Sequence, residues 1–246
     1  MLRSETFELV QDIAAFTHDP LGHALYTYPW GTGELAAHRD GPRTWQREIL
    51  EHIGSHLSNP GTRHQPCQIA VASGHGIGKS ALISMIVKWG LDTCEDCKVV
   101  LTANTEPQLR TKTWPEVSKW ARLAITSSWF KVVGMQAYSN EDGHEKSWRA
   151  DAVTWSKENT EAFAGLHNVG KRVIIIYDEA SGIDDRVWEV TEGALTDDNT
   201  EIIWIAFGNP TRASGRFREC FRKFRHRWDC PALHRRRSEE RRVGKE

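Results

Sequence analysis

Apolar residues along the chain fall into two patterns, short near-continuous runs and longer stretches at helical spacing. Cys67 to Ala72, Lys98 to Ala103 (K-V-V-L-T-A), Val173 to Tyr177 (V-I-I-I-Y) and Glu201 to Phe207 (E-I-I-W-I-A-F) are of the first kind. Continuous β-branched runs predict strands covered on both faces, as in a parallel sheet. Val132 to Tyr138 and Ala152 to Trp155 predict two more strands, parted by the charged turn Asn140 to Lys146. Helical spacing joins Phe7, Val10, Ile13 and Phe16, and then Trp45, Ile49, Leu50 and Ile53 behind Pro42. Lys79 to about Asp92 is broadly apolar, as a helix against a sheet should be. Trp114, Val117, Trp120 and Leu123 give a further face, read as core rather than a base-stacking platform, and Asp184 to Leu195 another. Lys157 to Gly170 is a polar loop carrying F-A-G-L-H-N, whose His167 reads as an ordinary loop histidine. Strands alternating with helices predict an α/β fold with a mainly parallel central sheet and helices on both faces.

A length of 246 residues with 39% hydrophobic content suits one such domain. No stretch of about 20 apolar residues occurs and the N-terminus lacks an apolar signal core, so a soluble intracellular chain is expected. The lone C-x-x-C, Cys94 and Cys97, reads as two reduced thiols in a loop rather than a zinc site, because a second ligand pair is missing. The formal charge of −1 hides a gradient: the last twelve residues hold six Lys/Arg and three Asp/Glu, leaving 26 basic against 30 acidic residues in the body. The body is therefore no general polyanion coat, and any nucleic-acid contact needs a local patch. Apolar patterning decays from His226, and Ser238 to Glu246 resembles translated sequencing-adaptor read-through. The expected organisation is an N-terminal helical and loop segment (1–41), one main domain (42–225) and a charged end (226–246).

Two motifs carry chemistry. After the run Cys67 to Ala72 comes Ser73, Gly74, His75, Gly76, Ile77, Gly78, Lys79 and Ser80, then a helix. This meets G-x-x-x-x-G-K-[ST] except at its first position, Ser73. Glycines let the backbone wrap a phosphate, the helix start attracts the anion, Lys79 reaches the β/γ-phosphates and Ser80 holds Mg²⁺. The second motif is Asp178 and Glu179 at the tip of the most apolar strand. Asp178 is expected to hold the water shell of Mg²⁺ and Glu179 to polarise an attacking water. Together they predict a nucleoside triphosphatase of the P-loop type. Thr102, Asn104 and Gln108 follow a strand end and are expected near the site. The polar tip Gly208, Asn209, Pro210 and Thr211 ends the last strand, and Arg212 and Arg216 beyond it are candidates for a transition-state arginine. Gln46 is a candidate adenine reader, since its amide both donates and accepts.

From about Pro42 to Phe221 the chain resembles the ATPase half of tailed-phage terminase large subunits. The likeness rests on W-Q-R-E-I-L, S-G-H-G-I-G-K-S, T-A-N-T-E-P-Q-L, F-A-G-L-H-N, V-I-I-I-Y-D-E-A-S-G-I and I-A-F-G-N-P-T-R-A-S-G-R-F. It implies an ASCE-type P-loop fold, ATP and Mg²⁺ as cofactors, and hydrolysis that drives double-stranded DNA into a procapsid. Implied partners are the portal protein, the small terminase subunit and further copies in a ring, in the host cytoplasm. By position it implies Gln46 on the adenine side, Gly74 to Ser80 as phosphate loop, Asp178 as magnesium acid, Glu179 as catalytic carboxylate and Gly208 to Thr211 as coupling segment. Many members carry a basic residue inside the phosphate loop; this loop does not, so the completing arginine is expected from elsewhere, a neighbouring subunit included. The family's nuclease domain does not follow, so this stretch is not expected to cut DNA.

Three other readings compete. A helicase or another translocase shares the same two motifs but wants a second core with its arginine motif. A GTPase-type switch wants N-K-x-D, which is absent, and D-x-x-G, where Asp178 is followed by Ser181. An idle fragment would bind ATP and hydrolyse it slowly for want of a neighbouring subunit.

Overall fold

A computed structural model describes residues 2–74, 76–155, 163 and 166–231, with side chains from residue 7 onward. His75, most of the Lys157 to Gly165 loop and the charged end beyond Pro231 lie outside the described residues. Helices α1 (Leu2–Ala14), α2 (Pro20–Thr27) and α3 (Thr44–Ser58) precede the first strand, β1 (Cys67–Ala72). Then come α4 (Lys79–Thr93), β2 (Lys98–Ala103) and α5 (Trp114–Leu123), which is entered through a π-helical turn, Leu109–Thr113. A hairpin of β3 (Phe130–Val133) and β4 (Gln136–Ser139) leads to β5 (Arg149–Ala152) and β6 (Arg172–Asp178). Helix α6 (Asp185–Ala194), β7 (Glu201–Gly208) and the short α7 (Arg216–Cys220) complete the order.

The seven strands form one sheet in the order β1-β7-β6-β2-β5-β4-β3. The first five are parallel, and β4 and β3 add on antiparallel. Side chains alternate between two cores, as strand geometry requires. Ile174 and Ile176 of β6, Ile203 and Ile205 of β7 and Ile69 and Val71 of β1 face α3, α4 and α5. Ile175 and Tyr177, Trp204 and Ala206, and Ala70 face α6 and α7. Both faces are therefore covered, and this is why the parallel strands read as continuous apolar runs. Ala24, Tyr28 and Leu35 lie in the same core as Ile49, so the N-terminal helices pack onto the main body. Among the described residues no helix is long and apolar enough to cross a membrane.

Four expectations are corrected. The strand expected over Ala152 to Trp155 instead spans Arg149–Ala152, where the chain pairs with β2 and β4, and it ends where the expected run begins. The run Val132 to Tyr138 is not one strand but the inner part of a hairpin, because Gly134 takes φ 59° and turns the chain between β3 and β4. The stripe Phe7, Val10, Ile13 and Phe16 does not pack as a unit, since Ile13 is buried while Phe7 and Val10 remain exposed. Nor does order stop at His226. Trp228 is buried against Trp188 and Trp204, and Asp229 bonds along the free edge of β1, its N–H donating to Gln68 O and its carbonyl accepting from Ala70 N–H at 2.8 Å each.

Close approach of α4 to the sheet is set by Gly90. A Cβ there would lie 2.3 Å from Ile174 Cδ1 and 3.4 Å from Cys97 Sγ. Helix propensity alone favours alanine over glycine by about 1 kcal/mol, whereas overpacking a buried contact costs about 1–3 kcal/mol. Gly90→Ala is expected to lower the urea midpoint, and Ile174→Val, which removes the clashing methyl, to restore part of the loss in the double variant. A midpoint raised by Gly90→Ala would refute the packing argument.

Candidate functional site

The phosphate-loop segment leaves β1 at Ala72 and enters α4 at Lys79. Gly76 (φ 76°) and Gly78 (φ 92°) occupy left-handed backbone that other residues adopt only under strain. No side chain caps α4, so its first-turn N–H groups face the loop's concavity, an arrangement suited to an anion. The loop is braced from α3. Arg43 Nη1 and Trp45 Nε1 donate to Ile77 O at 3.1 and 3.2 Å, and Gln46 Nε2 donates to Gly78 O at 2.7 Å. Gln46 Oε1 in turn accepts from Arg43 N–H at 2.8 Å, which satisfies the N–H of the N-cap residue of α3.

The acids arrive on β6. One strand, β7, lies between it and β1. Asp178 is 4% exposed and its carboxylate is held on both oxygens: Oδ2 accepts from Thr113 Oγ1 at 2.7 Å and Oδ1 from Glu179 N–H at 3.0 Å. Burial pushes its pKa above the ordinary carboxylate range, opposed by Thr113 and by the positive charge of Lys79. Glu179 has φ 49° and ψ 43°, a left-handed conformation unusual for a residue with a side chain. Its Oε1 lies 3.4 Å from Nζ of Lys79, across 100 residues of sequence. Lys79, Ser80, Asp178 and Glu179 line one cavity of about 420 Å³, with Gln108 at its wall. A larger hollow of about 550 Å³, between α1 and the β3–β4 hairpin, holds none of these residues.

The expected neighbours arrive as well. Ala103 sits opposite Asp178 in register, Thr102 is fully buried beside it, and the Asn104 side chain fills the space where a Cβ on Gly182 would stand. The segment Gly208 to Thr211 lies beside the loop rather than in the cavity: Gly208 O accepts from Ser73 N–H at 3.0 Å, and Thr211 N–H folds back on Asn209 O at 2.7 Å. Arg212 and Arg216 do not line the cavity. Arg216 pairs with Glu192 and stacks on Phe224 at 4.1 Å, so its guanidinium is committed elsewhere. Sequence reasoning missed Arg43, Lys112 and Thr113. Arg43 and Lys112 bring positive charge to the cavity wall, and Thr113 holds the buried acid. The signal for Arg43 was its place three residues before Gln46, one helical turn away.

Oxygen donors suit Mg²⁺, a hard cation that keeps several waters. Ser80 supplies a hydroxyl and Asp178 a buried carboxylate at the cavity, both oxygen donors. The residues present therefore fit the ion.

No protein-family model matches the sequence. Over 199 residues the chain is 30% identical to the probable terminase large subunit of Enterobacteria phage P7, a match covering 79% of this chain and 37% of that protein. The crystal structure of the HK97 bacteriophage large terminase superposes with a TM-score of 0.59 at 12% identity, over 87% of this chain and 43% of the other. A large terminase from a thermophilic bacteriophage, in complex with ADP, aligns at a TM-score of 0.46 and 12% identity, over 67% of this chain and 38% of that one. The chain spans less than half the length of each of these proteins. The chain is thus similar in sequence to part of a terminase large subunit and shares the fold of part of a solved large terminase.

A raised pKa at Asp178 has a consequence for stability. The folded chain keeps this proton at pH values where the unfolded chain has released it. The stabilising contribution is thus present below the ordinary carboxylate pKa and is lost as pH rises through the raised value. At neutral pH without Mg²⁺ the ionised acid is a burden. Asp178→Asn, whose amide oxygen can still accept from Glu179 N–H and whose NH2 can donate to Thr113 Oγ1, is expected to raise the melting temperature of the metal-free protein at pH 7, by about 2–4 °C for each kcal/mol relieved. Scanning calorimetry at pH 4 and 7 checks this, and the gain should shrink at the lower pH. A melting point that falls at pH 7 would refute the burden.

Proposed function

We infer, with homology to a terminase large subunit as the premise, that this chain is the ATPase motor part of a phage DNA-packaging machine. The reading is carried by one observation, the meeting of Lys79 and Glu179 at 3.4 Å beside Asp178 in a single cavity at the strand ends. In this reading ATP enters with its phosphates on the loop Ser73 to Ser80, where backbone N–H groups and Lys79 take the β- and γ-phosphate oxygens. Phosphate oxygens compete with Glu179 for Lys79, and the exchange turns the glutamate toward water. Glu179 accepts a proton from that water as its oxygen bonds the γ-phosphorus and the bond to the β-phosphate oxygen breaks, leaving ADP and phosphate. Ser80 and Asp178 would hold Mg²⁺, which would supply charge neutralisation at the phosphate oxygens.

Gln46 is buried and does not line the cavity, so we assign it to the adenine side through its bonds to Gly78 and to Arg43, which do line it. We assign Gly208 to Thr211 to coupling, since the strand they end lies between the P-loop strand and the acid strand. Arg43 lines the cavity but is tied to the Ile77 carbonyl, and Arg212 and Arg216 lie outside it. This supports completion of the site by an arginine from a neighbouring copy in a ring. Hydrolysis would then drive double-stranded DNA through the portal protein into a procapsid in the host cytoplasm, with the small terminase subunit as a further partner.

Glu179→Gln is expected to bind ATP and lose turnover by about 10²–10⁴-fold, the usual worth of a general base. Lys79→Ala should weaken ATP binding itself. Turnover by phosphate release and binding by a fluorescent ATP analogue check the two separately. Glu179→Gln turning over at the parental rate would remove Glu179 from the mechanism.

A further inference from the structure

Directly after the coupling segment, the sixteen residues Arg212 to Arg227 hold six arginines and one lysine against the single acid Glu219, in a chain whose formal net charge is −1. Arg212, Arg218 and Arg222 line a hollow of about 320 Å³, together with Pro210 and the end of β1 at Ala72. Phe217 forms its floor. This ring packs so closely on the tip of β7 that a Cβ on Gly208 would lie 2.7 Å from it. Not all the cations are available. Glu192 holds Arg216 and Arg227, and Arg225 donates to Trp228 O. Arg218 meets only its sequence neighbour Glu219, at 3.4 Å, while Arg212, Arg222 and Lys223 have no ion-pair partner among the described residues. The hollow thus presents cations on a rigid aromatic base, beside the segment assigned to coupling.

We propose that this face, centred on Arg218 and Arg222, grips the phosphate backbone of duplex DNA. The inference rests on the reading of the chain as part of a DNA motor. Backbone contact fits better than base stacking. Phe217 is buried, and Phe221 and Phe224 are half-buried under the cations, so no ring stands out as a stacking platform. Arginines over a packed base match phosphates without reading sequence. The contact of Phe217 with Gly208 ties the face mechanically to β7, so displacement at the strand tip would be passed to the bound duplex. Among the described residues no other stretch of this length sets seven cations against a single acid.

The test is duplex binding by the nucleotide-free chain, followed by fluorescence anisotropy with a labelled 30-base-pair duplex across a salt series. Arg218→Ala/Arg222→Ala is expected to lower the salt slope by about two, one for each phosphate contact, and by the same amount on any sequence. A rise from 50 to 200 mM salt should then cost the variant about tenfold less affinity than it costs the parent. Arg218→Lys/Arg222→Lys, which keeps the charge, should retain the parental slope. If the double alanine variant melts early, exposed Arg222→Ala alone should lower the slope by about one. An unchanged slope in the alanine variants overturns the proposal. So does unchanged duplex binding with lost binding of a polyglutamate peptide, which would mark a protein-docking face. Absent ATP turnover would count against the motor reading, whereas this measurement needs no nucleotide and stands apart from it.

Discussion

Everything at this site depends on keeping one carboxyl, Asp178, out of water. Burying an ionised acid is among the more costly things a fold can do, and it is tolerated only where neighbours offset the lost hydration. Here the offsets come from three places far apart in sequence: Thr113 Oγ1, the N–H of Glu179 and the charge of Lys79. They do not suffice, because burial still holds the acid above its ordinary pKa. An incompletely compensated buried carboxyl is poised to take up a cation. In the proposed function the same deficit that burdens the empty protein would favour a bound cation, so stability and function would oppose each other at this residue.

Sheet order explains how the deficit is placed. Because β7 lies between β1 and β6, the loop after β1 and the acids after β6 stand two strands apart, and Lys79 spans the gap to meet Glu179. The inserted strand brings its own tip, Gly208 to Thr211, into the middle of the arrangement. Ser73 N–H bonds to Gly208 O at 3.0 Å, so the phosphate loop and the β7 tip share a backbone link. Glycine at 208 answers a packing demand on the opposite face, where Phe217 leaves no room for a side chain. A change in the loop after β1 and a change at α7 therefore act on the same residue.

Strands buried on both faces were legible because their sequence signal is local: β1 and β2 form over the runs that predicted them, β6 is longer than its run by one residue at each end, and β7 by one residue at its end. Chemistry bound to those strands was legible for the same reason, since a carboxylate at the tip of an apolar run has a fixed address. What failed to show depends on packing between distant segments. The hairpin at Gly134 hides inside an apolar run, and only the partner strand β5 decides that the chain turns there. Phe7 and Val10 carry helical spacing yet face solvent, because α1 touches the body along a narrower line than its pattern suggests. Trp228 reads as part of a charged tail until the indoles of Trp188 and Trp204 are seen around it.

Thr113 shows the limit most clearly. Its sequence context, L-R-T-K-T-W, is helical and polar, and nothing in it points to an acid 65 residues away. The π-helical turn Leu109–Thr113 widens the helix by one residue and sets this hydroxyl where Asp178 needs a donor. Such turns are costly and recur at functional sites. Glu179 takes a comparable strain in its own backbone, with φ at 49°. Two irregularities, on separate elements, thus converge on one carboxyl pair. Straightening either would move a donor or an acid out of register. The irregular backbone is a condition of the site, and its cost is borne by the two cores on either side of the sheet.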